Sequence, residues 1–290
     1  MTAAVKSVTG RKSMLEKAAD TSLKQGVTAA ALLATLAFEC ADARAQKSDE
    51  EIAKAALNPI AAMVSVPLQY NYDGDIGSRR NGHKNYLNVQ PVIPVSIDDN
   101  WNMISRTILP LVDQHDIVAG RGSQSGLGDI TQSLFFSPKK PSAGGWIWGA
   151  GPVFLVPTAS EDLLGGEKWG LGPTAVFLKQ ESGWTYGALL NHIWSVAGTS
   201  TRNNISATFL QPFLSYTTKT HTSFAVNTES TYDWNKRDWA VPFNFSVKQL
   251  VKIGAQRLQL EAGARYWASA PDSGAHGWGA RVTVTFLFPK

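Results

Sequence analysis

The stretch Arg281–Lys290, RVTVTFLFPK, decides the class of fold. Its apolar residues stand at positions 282, 284, 286 and 288, and Arg281, Thr283 and Thr285 stand between them. Because successive side chains of a strand point to opposite faces, this period of two predicts a β-strand with one apolar and one polar face. The pattern by itself fits two arrangements: a water-soluble barrel with its apolar face inward, and a membrane barrel with that face in lipid.

The same alternation returns along the chain after Pro59, between clusters of Gly, Asn, Asp and Ser. The clearest segments are MVSVPLQYNY, YLNVQPVIPVSI, HTSFAVNTESTYDW, DWAVPFNFSVK and RLQLEAGARYW. Weaker ones lie near 101–112, 126–137, 145–157, 168–180, 184–197 and 204–216. With the terminal strand, these segments predict about twelve strands. A closed bacterial barrel has an even number of strands, so about ten or fourteen strands would also fit. We therefore expect an all-β fold, a closed antiparallel transmembrane β-barrel.

The first residues of the chain have the order of a secretory signal peptide. Several Lys and Arg residues precede the apolar run Gly26–Phe38, and Ala43-Arg44-Ala45 follows it. A spanning helix needs about 20 apolar residues, and this run is shorter. We expect residues 1–45 to be a signal peptide that is cut after Ala45. Cys40 is the only cysteine, so the exported chain can form no disulfide.

Residues 46–59 predict a short helix. Ser48 and Glu51 have the spacing of a capping box, and Asn58-Pro59 ends the pattern. We expect this region to be a periplasmic or plug segment that precedes a barrel over residues 60–290. Six of the 27 basic and four of the 23 acidic residues fall within 1–45, which leaves a net charge of +2. This balance gives no indication of a nucleic-acid partner.

The connections and the tryptophans favour the membrane arrangement. Long polar connections follow the first, third, fifth and eleventh predicted strands, and short ones follow the second, sixth and tenth, although NKR and SPKKPSAGG depart from this alternation. Outer-membrane barrels have long external loops and short periplasmic turns. Tryptophans near strand ends predict two aromatic girdles at the headgroup boundaries. The predicted girdle residues are Trp101, Trp146, Trp148, Trp169, Trp184, Trp194, Trp234, Trp239 and Trp278.

These segments also carry a resemblance to a known family. Phrases such as NVQPVIPVSI, SGLGDITQSLFFSP, WIWGAGPVFLVPT, YGALLNHIWSVAG and VTFLFPK resemble the outer-membrane transporters associated with the meta-pathway of phenol degradation, a group often labelled neuromedin U. The resemblance runs from Leu57 to Lys290. It implies a barrel in the cell outer membrane and uptake of a small aromatic or hydrophobic solute. It supplies no catalytic motif.

Polar residues within the strands are the candidate solute-contacting groups. A charge on the lipid face costs about 2–4 kcal/mol for Arg or Lys at the midplane, so these residues should face the lumen. They would either fill it with salt bridges or form a constriction that selects the solute. The predicted lumen residues are Gln69, Asn71, Gln90, Arg106, Asn191, Glu229, Asp233, Asn244, Lys248, Glu261, Arg265 and Arg281.

Other chemistry finds little support in the sequence. The stretch AGRGSQSGLGD lacks phosphate-loop spacing and leads into a strand. His192 and Ser195 are three apart in a strand, so they should lie on opposite faces and cannot form a nucleophile–base pair. His83, His115, His221 and His276 lack metal-ligand spacing. We expect no catalytic residues, no metal and no cofactor.

The prediction is an outer-membrane channel or transporter for passive uptake of a small solute. Its expected partners are outer-membrane lipid, the solute, and the barrel-assembly machinery, which would recognise the C-terminal strand. Two alternatives remain. One is a closed structural or interaction barrel with a packed lumen. The other, with less support, is an outer-membrane lipid hydrolase.

Overall fold

The computed structural model describes residues 48–289, so the predicted signal peptide lies outside the described residues. Within this range one helix precedes fifteen strand segments. The helix is Asp49–Ala56 (α1). The strands are Val64–Ile76 (β1), Gly82–Val89 (β2), Val92–Ser96 (β3), Trp101–His115 (β4), Ser123–Leu127 (β5), Ile130–Pro138 (β6), Trp146–Val156 (β7), Lys168–Glu181 (β8), Trp184–Gly198 (β9), Ser206–Thr217 (β10), Thr222–Thr228 (β11), Ser230–Asp233 (β12), Asp238–Ile253 (β13), Gln256–Ser269 (β14) and Gly277–Phe288 (β15).

The strands form one closed antiparallel sheet. Each strand pairs with its neighbours in chain order, and β1 pairs with β15 from Val64↔Phe288 to Tyr72↔Ala280. Three barrel strands consist of two segments each: β2 with β3, β5 with β6, and β11 with β12. The barrel therefore has twelve strands, which confirms the predicted fold class. All twelve segments read from the alternation correspond to barrel strands.

Prolines account for two of the three interruptions. Pro91 separates β2 from β3, but the pairing with β1 keeps one register across it, from Leu68↔Val89 to Ser65↔Val92. Glu229 separates β11 from β12, and its backbone N–H reaches the carbonyl of Pro242 only at 3.4 Å. Because proline has no N–H to donate, the ladder is interrupted at these points without a shift of register.

The third interruption is a true β-bulge. The pairing of β4 shifts by one residue between Leu111↔Leu127 and Ile108↔Thr131. The extra residue lies in the partner strand, between β5 and β6, at Gly128-Asp129. The Asp129 carboxylate accepts hydrogen bonds from the backbone N–H groups of Ala159 and Gly166, at 3.1 and 2.7 Å. The bulge thereby holds the connection between β7 and β8.

The two ends of the barrel differ in their connections. On the side where β1 begins and β15 ends, β8 and β9 are joined by residues 182–183, and β13 and β14 by residues 254–255. On the opposite side, residues 157–167 join β7 to β8, and 199–205 join β9 to β10. Short turns are typical of the periplasmic end and long loops of the outer end. The start of β1 and the end of β15 therefore lie at the periplasmic end.

The helix begins as the sequence predicts. The Ser48 side chain accepts from the backbone N–H of Glu51, and the Glu51 carboxylate accepts from the backbone N–H of Ser48, which completes the capping box. After Ala56, the Asn58 side chain accepts from the backbone N–H of Ile60 at 2.9 Å and turns the chain into the barrel. In the described range, no helix has the length and apolar character to cross a membrane.

The exterior of the barrel is apolar and the interior is polar for much of its length. In β15, Val282 is 52% exposed on the outside and Arg281 is 3% exposed on the inside. In β13, Phe243, Phe245 and Val247 are exposed, and Asn244 between them is buried. The apolar face of the C-terminal strand thus points outward, where a bilayer would cover it.

Replacing Val282 with Arg tests this orientation. We expect Val282→Arg to lower the free energy of unfolding in lipid by about 2–4 kcal/mol, because the charge would enter hydrocarbon near the middle of β15. The measurement is equilibrium unfolding by urea of protein folded into phosphatidylcholine vesicles. The matched variant Val282→Leu should change this free energy by less than about 1.5 kcal/mol. Equal stability of the two variants would contradict a lipid-facing position.

Candidate solute site in the barrel lumen

A cavity of about 430 Å³ lies inside the barrel. Its volume is within the range of small-molecule sites, which is about 300–1,000 Å³. Predicted residues that line it are Gln69, Gln90, Arg106, Asn191, Glu229, Lys248, Glu261 and Arg281. The alternation of the strands therefore brings together groups that are distant in sequence.

The strongest contact at this site joins β15 to the interruption between β11 and β12. Arg281 donates two parallel hydrogen bonds to Glu229, at 2.9 and 2.7 Å. The Arg281 Nε also donates to Asn71 Oδ1 at 2.7 Å. A bidentate guanidinium–carboxylate pair fixes both side chains in one plane. It fixes the position of Glu229, whose strand is locally interrupted, on the lumen wall.

Toward the outer end the network continues through Arg265. Its Nη1 donates to the Tyr86 hydroxyl at 2.6 Å, and its Nε lies 3.4 Å from Asp73 Oδ1 without hydrogen-bond geometry. Trp267 Nε1 donates to the same Asp73 oxygen at 2.9 Å. Lys84 pairs in register with Asp73. Buried charges require partners of this kind because the lumen wall excludes much of the water.

Sequence reasoning missed Asp73, Lys84, Tyr86 and Trp267 as lumen residues. The stretch DGDIGSRRNGHK reads as a loop because it is polar and rich in glycine. In the structure, β1 continues to Ile76 and β2 begins at Gly82, so this hairpin extends the barrel wall outward. Alternation could have placed Tyr86 inside, since Leu87 and Val89 occupy the opposite face.

The inner part of the cavity contains two further polar groups. Lys248 Nζ lies 3.4 Å from Glu261 Oε2. On the other side, Arg106 Nη2 donates to Gln90 Oε1 at 3.0 Å, and Gln90 Nε2 donates to Gln69 Oε1 at 3.1 Å. The glutamine pair fixes the direction of the guanidinium.

Asn244 and Asp233 do not line the cavity, whereas Asn191 does. Asn191 lines the cavity on the wall formed by β9 and β10, beside Phe209. Asn244 is buried and donates to Asn227 Oδ1 at 2.8 Å. Asp233 lies at the outer end of β12, on the same strand face as Thr231 of the cavity wall, and its carboxylate accepts from the backbone N–H groups of Asn235 and Lys236. It therefore caps an outer turn.

The periplasmic end of the lumen is filled by the segment that precedes β1. Ile60 is 4% exposed and packs in an apolar cluster. The buried members of this cluster are Ile60, Val92, Ile104, Phe135, Val176, Leu178 and Leu189. A Cβ atom at Gly149 would lie 3.2 Å from Ile60 Cδ1, so the small residue in β7 leaves room for this side chain. The inner lumen is thus apolar where the segment enters.

The helix α1 packs against the barrel through a second apolar cluster and two polar contacts. Ile52 and Met63 are buried with Leu287 of β15. Arg257 Nε donates to Asp49 Oδ1 at 2.7 Å, and Gln180 Nε2 donates to the Lys54 carbonyl at 2.8 Å. The hydrogen bond from Arg257 holds the pKa of Asp49 below its usual value of 3.8. We call residues 48–63 the inner segment.

The nine predicted girdle tryptophans lie near strand ends, most of them exposed on the outside. At the periplasmic end, the rings of Trp101 and Trp148 meet edge to face with centroids 5.8 Å apart. At the outer end, Tyr266 and Trp278 lie 4.9 Å apart. Indole rings favour the headgroup boundary of a bilayer, where the ring is buried and the N–H stays hydrated.

His192 faces outward beside Trp194, with ring centroids 4.1 Å apart, and Ser195 lies on the opposite face of β9. The structure therefore confirms the prediction that His192 and Ser195 do not pair. His192 contacts two hydroxyls of β10 instead. Its Nδ1 lies 2.7 Å from Thr208 Oγ1, and its Nε2 lies 3.5 Å from Ser206 Oγ. The second distance is longer than the 2.6–3.2 Å range of an activated nucleophile–base pair.

The fold and the site together define a class, a closed transmembrane β-barrel with a charged lumen. The sequence matches no protein-family model. It also matches no curated protein. Among solved structures, an outer-membrane channel from Pseudomonas putida F1 has a TM-score of 0.61 and 15% sequence identity, over 79% of this chain and 96% of that chain. This likeness shows the fold, which is that of an outer-membrane β-barrel.

Two further solved barrels have lower TM-scores. The NanC porin has a TM-score of 0.46 and 11% identity, over 78% of this chain and 98% of that chain. The outer membrane phospholipase A from Escherichia coli has a TM-score of 0.43 and 10% identity, over 77% of this chain and 92% of that chain. Neither value is high enough to support an inference about function.

A double-mutant cycle on Arg281 and Glu229 tests the energetic weight of the lumen pair. We expect Arg281→Met and Glu229→Gln each to lower the free energy of unfolding by up to about 3 kcal/mol, and the double variant to lose less than their sum. The value lies at the low end for buried pairs because Glu229 is 19% exposed. The measurement is unfolding by denaturant in lipid vesicles.

The exposed pair Lys236–Asp233, at 3.7 Å, provides the control for this cycle. Its coupling energy should stay below about 1 kcal/mol because water screens both charges. A coupling energy for Arg281–Glu229 that is no larger than this control would show that the bidentate pair does not stabilise the barrel.

Proposed function

We propose that this protein is an outer-membrane channel for passive uptake of a small organic solute. The observation that carries the proposal is the cavity of about 430 Å³, which lies inside a closed barrel and is lined by hydrogen-bonding and charged side chains. Selection would be steric and electrostatic, through the side chains that surround the passing solute.

The proposed solute is a small compound with an aromatic or hydrophobic part. The cavity lining supports this, because Ile108, Ile193 and Phe209 place apolar surface beside the amides and charges. The sequence resemblance to transporters associated with phenol degradation points in the same direction. A pocket that is part apolar and part polar suits a solute with both characters.

The inner segment is the proposed plug of this channel. Ile60 and α1 pack where a solute would leave the cavity toward the periplasm. Some of its contacts with the barrel are polar, since Asp49 and the Lys54 carbonyl each receive one hydrogen bond from the barrel. Passage would require this segment to move aside, and its release would open the lumen.

The proposal includes no covalent chemistry. Among the described residues, His192 has hydrogen-bond contacts only with the hydroxyls of Thr208 and Ser206 and has no acidic group to orient its ring, which gives no support for a lipid hydrolase on the exterior. Proposed partners besides the solute are the lipid that surrounds the aromatic bands and the barrel-assembly machinery, which would bind β15. The alternation that ends at Phe288 supports the last proposal.

The test is single-channel conductance in a planar bilayer. We expect the native protein to give brief unitary steps. Ile60→Asp should raise the fraction of time spent open by about tenfold or more, because a carboxylate is costly in the apolar cluster around Ile60. The matched control Ala62→Asp adds the same charge at an exposed neighbour and should leave the open fraction unchanged.

Two outcomes would contradict these proposals. If Ile60→Asp and Ala62→Asp behaved alike, the inner segment would not be the plug. If neither the native protein nor Ile60→Asp conducted in a correctly inserted barrel, the channel proposal would fail. The tight packing of Ile60 would then favour the closed structural barrel as the function.

The Asp49–Arg257 contact gives a pH-dependent prediction. Because the docked carboxylate has a lowered pKa, its contribution to docking is complete at neutral pH and is lost as pH falls below about 3.8. Asp49→Asn should therefore raise the open fraction at pH 7, and the difference from the native channel should disappear in acid. Recording both channels from pH 7 down to acid well below pH 3.8 checks this. A difference that persists at low pH would show that the ion pair is not involved.

A further inference from the structure

The charges that line the cavity do not balance. Three cations, Arg106, Lys248 and Arg281, face two anions, Glu229 and Glu261. Arg281 occupies both oxygens of Glu229. Lys248 is paired with Glu261. Among the described residues, no carboxylate lies within ion-pair distance of Arg106, so this guanidinium is the unpaired cation of the cavity.

Arg106 is nevertheless held in a defined position. Its Nη2 donates to Gln90 Oε1, and Gln90 is held by Gln69. Its Nε and Nη1 have no protein acceptor, and neither is among the buried nitrogens without a partner, so both are open to the cavity. Glu229 attracts Arg106 through the lumen, but the Glu229 carboxylate is already bound by Arg281. A fixed guanidinium with free donors is a binding group for an anion.

The surroundings of Arg106 indicate what kind of anion would fit. Ser133 pairs with Arg106 in register and Thr131 lies on the same face of β6, so hydroxyl groups lie beside the guanidinium. Across the lumen, Ile193 and Phe209 supply apolar surface from β9 and β10. The cavity therefore joins a cationic, hydroxylated side to an apolar wall.

We propose that Arg106 is the recognition residue of a carboxylate site in the lumen, and that the solute is a small organic monoanion with an aromatic or otherwise apolar body. The carboxylate accepts from the second N–H of Nη2 together with the neighbouring N–H of Nε or Nη1, a planar fork that matches its two oxygens and is left free by the bond to Gln90. The apolar body lies against Phe209 and Ile193. This inference rests on the proposed channel function and deepens it by assigning the chemical class of the solute.

Block of ionic current by benzoate tests the site. The Ile60→Asp variant serves as the open background, and benzamide is the neutral probe of the same shape. We expect benzoate to reduce the current at a concentration about tenfold or more below that needed with benzamide, because a charge-assisted hydrogen bond contributes about 1.5–3 kcal/mol. Arg106→Gln should remove this difference, and Arg106→Lys should restore part of it, since it keeps the charge without the fork.

A second cation provides the matched control. Lys84→Gln removes the same unit of charge from the lumen at a residue that does not line the cavity, so it should shift the reversal potential in a KCl gradient toward cations as Arg106→Gln does. It should still leave the preference for benzoate over benzamide intact. Loss of the preference in both variants would show a general effect of charge and would overturn the assignment to Arg106. Equal block by benzoate and benzamide in the parent would overturn the carboxylate site itself.

Binding measured without conduction separates this inference from the channel proposal. Isothermal titration of benzoate into the folded, detergent-solubilised native protein should give saturable binding, weakened about tenfold or more in Arg106→Gln. Folding of each variant is checked by heat-dependent gel mobility. Binding of benzoate to a barrel that never conducts would refute the channel proposal and support the carboxylate site. Conduction without benzoate binding would support the channel proposal and refute the carboxylate site. Binding of inorganic phosphate as tight as that of benzoate would also refute the assignment of the site to carboxylates.

Discussion

The structure depends on one constraint, that every backbone N–H and C=O group within a bilayer must be hydrogen-bonded. A sheet meets this constraint in hydrocarbon only when it closes on itself. The pairing of β1 with β15, from Val64↔Phe288 to Tyr72↔Ala280, provides the closure here. Once the sheet is closed, alternation divides the side chains between lipid and lumen. Even the interruption at Pro91 leaves that division intact, because the register on its two sides is the same.

Closure places the polar face of each strand in the lumen. Because little water is present there, the charged side chains form ion pairs with one another. Glu229 and Arg281 are separated by 52 positions in the chain, yet they form a bidentate pair across the lumen. A carboxylate left without such a partner would carry a large desolvation cost. Most of the cavity charges are accordingly paired. Arg106 is the exception, and the two amides that hold it cannot neutralise its charge.

The two halves of the lumen have opposite characters, and the inner segment explains why. Sequence reasoning expects polar residues on the inward face of every strand. At the periplasmic end the inward face is instead apolar at Phe135, Leu178 and Leu189, because these residues pack around Ile60. The same fact explains why alternation is weaker in these strands, since both of their faces are apolar there. An irregular pattern in the sequence thus marks the docking site of the segment.

Local periodicity and a small set of capping rules were enough to predict the fold class, about twelve strands, the capped helix, and the inward direction of residues such as Glu229 and Arg281. Which charges pair, that Asp73 belongs to the lumen and that Asp233 caps a turn follow from the folded barrel alone. Those outcomes depend on where strands end and which residues meet across the barrel. Closure of the sheet sets which residues meet across the barrel, and local sequence patterns contain no information about closure.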